Sequence, residues 1–276
     1  MADARRVAEV DISESPTSEW DPSVYFKYEA ERAQPAHDLL ARVDFEPRRI
    51  VDFGCGPGST TAMLAQRFPK AEIIAVGNSE PMLAEARRRL PKMRFAQADV
   101  SEWRPHRRPD LIFANASLQW LPNHESLFPR LMAYVAEGGA LAVQMPDNRH
   151  EPSHVLMRLI AADGPWVDRL APIAKTRAVI GTHVDYYNWL TPLATRVDIW
   201  QTTYVHPLGG VDSLLDWFRG GALRPFLDPL DEREREQFLE RYTSELAEAY
   251  PIERDGALLF LYPRLFIVAR KRYARF

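Results

Sequence analysis

The chain has 276 residues, 46% of them apolar and 26% charged, and 35 Lys and Arg against 38 Asp and Glu leave a net charge of −3. That balance excludes a general attraction to nucleic acid, and the length suits one large α/β domain or a core with an inserted cap. A single cysteine, Cys55, excludes an internal disulfide and fits a reducing compartment.

In chain order, residues 1–19 read as a flexible leader. The opening MADARRVAEVDISESPTSEWD is too charged for a signal peptide, so a cytoplasmic protein is expected. From Trp20 to Val43, the spacing of Val24, Tyr28, Leu39, Leu40 and Val43 predicts two helical runs interrupted near Pro35. RIVDF (49–53) predicts a short strand that ends in the glycine cluster GCGPG (54–58). Ser59 and Thr60 can cap the next helix, whose Met63, Leu64 and Phe68 share a face.

The pattern repeats as EIIAV (72–76), a strand, and PMLAEARRRL (81–90), a helix with Pro81 in its first turn. MRFAQADV (93–100) predicts a third strand, and DLIFANASLQW (110–120) opens as a fourth. HESLFPRLMAYV (124–135) predicts a helix despite Pro129, Gly138-Gly139 a turn, and ALAVQMP (140–146) a fifth strand. Five strands alternating with helices imply a parallel sheet covered on both faces, with right-handed crossovers.

Beyond Pro146 the regularity fails. Residues 150–194 are rich in Pro, Trp and Tyr with only helical hints, as expected of a cap. RVDIWQTTYVHPL (196–208) is a long alternating strand, DSLLDWFRGG (212–221) a helix and EREREQFLERYTSELAEAY (232–250) an amphipathic helix. ALLFLYPRLFIVARK (257–271) closes the chain as a strand expected to bend or bulge at Pro263. Its apolar run is too short to span a bilayer and is broken by Arg264.

VDFGCGPGST carries the strongest chemical signal. Glycines between a buried strand and a helix let the backbone approach a ligand and present amides at a helix N-terminus. A dinucleotide fingerprint, G-x-G-x-x-G, fails because Ser59 stands at its sixth position and Pro57 lacks an amide donor. That failure counts against a nicotinamide-dependent oxidoreductase. The pattern present, D-x-G-x-G-x-G over Asp52, Gly54, Gly56 and Gly58, resembles motif I of class I S-adenosylmethionine-dependent methyltransferases.

The resemblance runs through residues 50–146. It extends most closely to the trans-aconitate methyltransferase branch over WDPSVYFKYEAERAQPAHDLL, ANASLQWLPNH, LAVQMPDNRHEPSH, the RVDIWQTTYVHPL strand, GALRPFL and YPRLFIVARK, which together span most of residues 20–271. It implies S-adenosylmethionine as cofactor, S-adenosylhomocysteine as product, and a small polycarboxylate as acceptor. It also implies a Rossmann-like, seven-stranded, mostly parallel sheet with helices on both faces and a helical cap. Residues 20–271 form the domain on this reading, with a core of 44–146 and 195–271 and a cap of 20–43 and 147–194. Nucleic acid and membrane are not expected as partners; a monomer or small homo-oligomer is.

By the same resemblance Asp99 reads the adenine, with Val100 beside it, and Asn115 to Trp120 lie near the methionine part of the cofactor. The family's second strand usually ends G-x-D-x-S-x-x-M-L, with the acid on the ribose hydroxyls. In AVGNSEPM (75–82), aligning on Ser79, Met82 and Leu83 puts Gly77 at the acid's place, with Asn78 after it. A weakened ribose contact follows, or altered cofactor use without methyl transfer.

Methylating a carboxylate needs no general base, because the nucleophile, with a pKa near 4, is ionised at neutral pH. Alignment and water exclusion suffice, and proximity supplies roughly 7–11 kcal/mol in favourable cases. A multiply charged acceptor calls for arginines. The candidates are Arg32, Arg149, Arg224 and Arg264, each also readable as a surface charge or ion pair. Arg224 and Arg264 are preferred, since both stand in apolar-aromatic surroundings where an unpaired charge is costly. Arg32 with Tyr25 is placed over the cofactor's carboxylate. Gln119, Trp166 and His124 complete the acceptor side, though large aromatics are more often core and His124 serves equally as a helix cap. HEPSH (150–154) matches the zinc signature H-E-x-x-H, but Pro152 breaks the continuous helix that signature requires, so no metal site is expected.

Overall fold

The computed structural model describes residues 28–176, 180–219 and 221–273. Seven strands form one sheet: β1 (Arg49–Phe53), β2 (Glu72–Gly77), β3 (Arg94–Gln97), β4 (Leu111–Asn115), β5 (Ala140–Pro146), β6 (Ala194–Leu208) and β7 (Leu258–Lys271). Their order is β3-β2-β1-β4-β5-β7-β6. The first five pair in parallel, while β7 lies antiparallel between β5 and β6. The expected mostly parallel, Rossmann-like sheet is present. The order turns back at β1 and β4, and such a reversal opens a crevice at the carboxyl ends of the strands.

Helices cover both faces. On one, α1 (Glu29–Leu40) and α2 (Ser59–Arg67) set Leu39, Leu40 and Leu64 against Ile50, Phe113 and Phe266. On the other, α4 (His124–Tyr134) and α7 (His183–Leu190) set Phe128, Leu131, Tyr186 and Leu190 against Phe53, Ile112 and Ile267. Between α2 and α4 in the chain, α3 (Glu80–Arg89) places Leu83 on Cys55 and Ala75. The sequence reading of two helical runs broken near Pro35 is corrected over the described residues: α1 continues through Pro35. Pro35 forfeits one helical amide, but its ring lies buried with Ala36, Leu39 and Leu40, so packing outweighs the lost bond.

Pro263 causes no bulge either. Pairing runs from Val197↔Ala269 to Leu208↔Leu258 with Pro263 opposite Thr203, and the register shift falls instead at Ala194/Arg196. The ladder with β5 ends at Pro146↔Arg264. The Pro263 carbonyl accepts the Asp147 amide 2.9 Å beyond that end. Its missing N–H falls on the same side, so the loss is confined to the reciprocal bond to Asp147 at the frayed end of the ladder.

A further apolar cluster lies past the strand ends. It joins α5 (Pro152–Ala161), α6 (Val167–Thr176), α8 (Val211–Arg219), the short α9 (Arg224–Leu227) and α10 (Glu232–Ala249) to Leu208, Leu258 and Phe260. Phe238, Tyr242 and Leu246, at four-residue spacing on α10, supply one stripe of it. This grouping differs from the expected cap of 20–43 and 147–194: α1 and α7 pack on the sheet, and residues 211–249 pack with α5 and α6. Asp231 and Glu234 form a capping box at the start of α10, as Thr182 and Asp185 do for α7. Among the described residues, no helix is long and apolar enough to cross a membrane.

Candidate active site

A cavity of about 670 Å³ opens over the carboxyl ends of β1, β2, β4 and β5, between the sheet and the α5–α10 cluster. Its floor is the loop after β1. The Gly54 and Cys55 amides donate to the Val76 carbonyl at 2.8 and 3.2 Å, which folds the loop back over β2. Gly54 has φ +68°, and a Cβ there would lie 2.2 Å from Ser117 Cβ; at Gly56 a Cβ would meet nothing within 4 Å. Ser117 follows β4 and donates 2.8 Å to the Phe53 carbonyl, so the two loops clasp each other below the cavity. Ala116 beside it has φ +50°, a left-handed strain at the cavity wall.

Asp52 and Gly58 stand behind this wall rather than in it. Gly58, at φ +91°, begins α2, and a Cβ there would press on Leu90 and Ala86 at 3.2–3.3 Å. Asp52 is 1% exposed and accepts the Thr61 hydroxyl at 2.7 Å. Burial pushes its carboxyl from the ordinary 3.8 up to about 7, against the smaller lowering effect of Thr61. Burial, and then the Asp52 charge, push the Cys55 thiol far upward, so Cys55 is unreactive at neutral pH.

The raised Asp52 pKa predicts a pH dependence of stability. Below pH 4 both folded and unfolded chains hold the proton and its contribution is complete. Between pH 4 and 7 only the unfolded chain releases it, so stability falls by about 4 kcal/mol as the pH rises through that window. Asp52→Asn, neutral and of the same shape, is expected to flatten this decline. Urea unfolding of both proteins at pH 5 and 7.5 checks it, and identical pH dependence in the two overturns the assignment.

The wall above the glycines fits a polar, nucleoside-like cofactor. Ser79 Oγ, Asn115 Oδ1 and Gln119 Oε1 all belong to cavity-lining residues, and all three are buried with no hydrogen-bond partner. Buried polar atoms are rarely left so, and a bound group would satisfy them. Gly77, Asn78, Asp99, Val100 and Trp120 also line this part. One Asp99 oxygen accepts the Ser101 amide at 2.6 Å. Tyr25 lies outside the described residues.

The opposite side is cationic. Arg32, Arg149, Arg158, Arg224 and Arg264 all line the cavity, facing only Asp99 and Asp147 as carboxylates among its described lining. Arg264 is 3% exposed; its Nη1 lies 3.5 Å from Gln144 Oε1 and its guanidinium 4.3 Å from the Tyr262 ring. Arg32 lies 5.9 Å from the Trp217 ring, and Trp217 and Phe218 complete an aromatic wall.

Two sequence candidates stand outside the cavity. Trp166, 3% exposed, donates 2.8 Å to the Ile160 carbonyl and packs edge-on to Phe238 in the α5–α10 core. His124 Nε2 lies 2.9 Å from the Leu118 carbonyl and Nδ1 2.6 Å from Tyr186 Oη. A carbonyl only accepts, so Nε2 carries the hydrogen; burial lowers the ring's pKa and keeps it neutral. Tyr186 Oη in turn receives the Gly181 amide at 3.0 Å. His124 thus ties the turn Leu118–Trp120 to the 181–183 segment, both of which border the cavity. His150 and His154 line it as well, but α5 starts only at Pro152, with Glu151 at the N-cap position, so the two rings do not share a helical face. Sequence reasoning missed Trp217, Tyr262 and Arg158. The test that favoured Arg264, a charge set among apolar residues, picks out Arg158 in HVLMRLI equally well.

A family model for a methyltransferase domain matches residues 25–191. The fold is similar to that of phosphoethanolamine N-methyltransferase 2 from Haemonchus contortus, with TM-score 0.52 and 16% identity, covering 87% of this chain and 53% of that one. The chain belongs to the class I S-adenosylmethionine-dependent methyltransferases. Within that class it is 54% identical over 255 residues to a protein of Methylobacterium nodulans named trans-aconitate 2-methyltransferase, covering 92% of this chain and 99% of the relative. It is 51% identical over 254 residues to one of the same name from Acidovorax ebreus, covering 92% and 98%.

Proposed function

We propose that the protein transfers a methyl group from S-adenosylmethionine to one carboxylate of trans-aconitate or a close polycarboxylate, forming a methyl ester. The observation that carries this is the arginine wall that opens onto the same cavity as the glycine loop. S-adenosylmethionine held over the glycine loop would supply an activated sulfonium methyl for the acceptor's carboxylate oxygen, the methyl–sulfur bonding pair leaving with the sulfur. No proton moves, because the attacking carboxylate is already ionised at neutral pH, so the transfer needs no general base.

The chain's own residues bind and orient. Gly54 and Gly56 admit the cofactor to the backbone, and Ser79, Asn115 and Gln119 bring it hydrogen bonds. Arg224 and Arg264 hold the acceptor by charge-assisted bonds. Trp120, Trp217 and Phe218 exclude water, which strengthens every charge interaction inside. Methyl-labelled cofactor incubated with trans-aconitate, other di- and tricarboxylates, and hydroxyl and amine acceptors tests the reading. Label is expected in a base-labile ester of trans-aconitate; label on hydroxyl or amine acceptors alone overturns it.

A further inference from the structure

Arg158 sits on α5 with Val155, Leu156, Met157, Leu159 and Ile160 around it in sequence, yet it reaches the cavity. Its Nη2 donates 2.8 Å to the Arg149 carbonyl. That bond fixes the plane of the guanidinium and leaves its other N–H donors for a ligand. No carboxylate among the described residues lies within the 4.0 Å of an ion pair with it. Burial, and then the nearby Arg149 charge, pull the Arg158 pKa below its ordinary value. A half-buried guanidinium with no carboxylate in reach is a costly arrangement unless an anion enters against it.

We propose that Arg158, seconded by Arg149, binds a second carboxylate of the acceptor, distinct from the one held by Arg224 and Arg264, and so selects polycarboxylates over monocarboxylates. The inference rests on the carboxylate-methylating reading above. It follows the asymmetry of buried polar recognition: a site built for an anion discriminates against an analogue that lacks it, because the cation is then left uncompensated. The four arginines come from different elements, Arg149 from the loop after β5, Arg158 from α5, Arg224 from α9 and Arg264 from β7. An acceptor held at both is fixed in orientation as well as in place, which presents one oxygen to the methyl group.

Steady-state kinetics of the wild type, Arg158→Met and Arg158→Lys with trans-aconitate, fumarate and crotonate test the proposal, alongside calorimetric titration with S-adenosylhomocysteine. Arg158→Met is expected to raise KM for trans-aconitate about 10- to 100-fold. Its kcat at saturation is expected to stay within about threefold, the mark of lost ground-state binding. KM for crotonate is expected to change little, so the preference for the tricarboxylate shrinks, and Arg158→Lys recovers part of the loss. Affinity for S-adenosylhomocysteine is expected to be unchanged in both variants, showing an intact fold and cofactor site. An unchanged KM for trans-aconitate, an equal loss on trans-aconitate and crotonate, or lost homocysteine-cofactor binding in both variants overturns the role. If the wild type labels no carboxylate, the function itself falls and the inference with it. If it labels trans-aconitate and Arg158→Met keeps its KM, the role of Arg158 alone falls.

Discussion

Gly54→Ala is expected to abolish usable cofactor binding, with at least a 100-fold loss on the scale of about 3 kcal/mol. Two penalties combine at this position. A Cβ at φ +68° enters a region that costs L residues roughly 1–2 kcal/mol. The same Cβ lands 2.2 Å from Ser117 Cβ and 3.5 Å from Ser117 Cα, so one loop must move off the other. Ser117 cannot yield easily, because its hydroxyl holds the Phe53 carbonyl and its own carbonyl receives the Trp120 amide. Displacing it spoils both the floor and the wall that carries Asn115 and Gln119. Gly56→Ala is the control, since its Cβ meets no protein atom and only the backbone strain remains. Thermal unfolding is expected to show the larger loss of stability at Gly54, and calorimetry with S-adenosylhomocysteine the loss of binding. An affinity within about threefold of wild type for Gly54→Ala removes the clasp between the loops from the account.

Gly77→Asp is expected to tighten cofactor binding by about 10- to 150-fold, the worth of a charge-assisted hydrogen bond or a pair of them. The family pattern has an acid here, and the structure leaves room for it. A Cβ on Gly77 would stand 3.4 Å from Leu83 Cδ2 and 3.5 Å from Cys55 Sγ, ordinary contact distances, with no positive φ to forbid it. The backbone is already committed, its carbonyl accepting the Ala98 amide at 2.9 Å, so the strand end need not shift. Calorimetric titration of both proteins with S-adenosylmethionine and S-adenosylhomocysteine measures the gain. Equal or weaker binding by the variant removes the missing ribose contact as the meaning of Gly77. Binding by the variant with none by the wild type at millimolar cofactor removes ordinary methyl transfer.

Much of this protein could be read locally. A buried strand, three glycines and a helix start within Arg49–Arg67 specify a loop that approaches a ligand, because Gly54, Gly56 and Gly58 take positive φ without the penalty a Cβ would bring. Pro152 at the first position of α5 was likewise legible from its missing amide. Alternation of strand and helix from Arg49 to Pro146 implied the parallel half of the sheet, since each crossover is short and its handedness is settled by strand twist.

What depended on distant partners was not legible. Pro35 and Pro263 read as interruptions, and each is accommodated only because of what lies beside it: the sheet under α1, and the end of β5 beside β7. Trp166 and His124 are residue types that serve equally in a core or a pocket, and their neighbours Phe238 and Tyr186 decided for the core. The glycine cradle, the cofactor class and a set of candidate arginines were readable from local pattern. The tertiary structure decided which of those arginines share one cavity, because a guanidinium's direction is set by the elements that converge on it from more than 100 residues away, as Gln144 and Arg264 do, and no local pattern encodes that convergence.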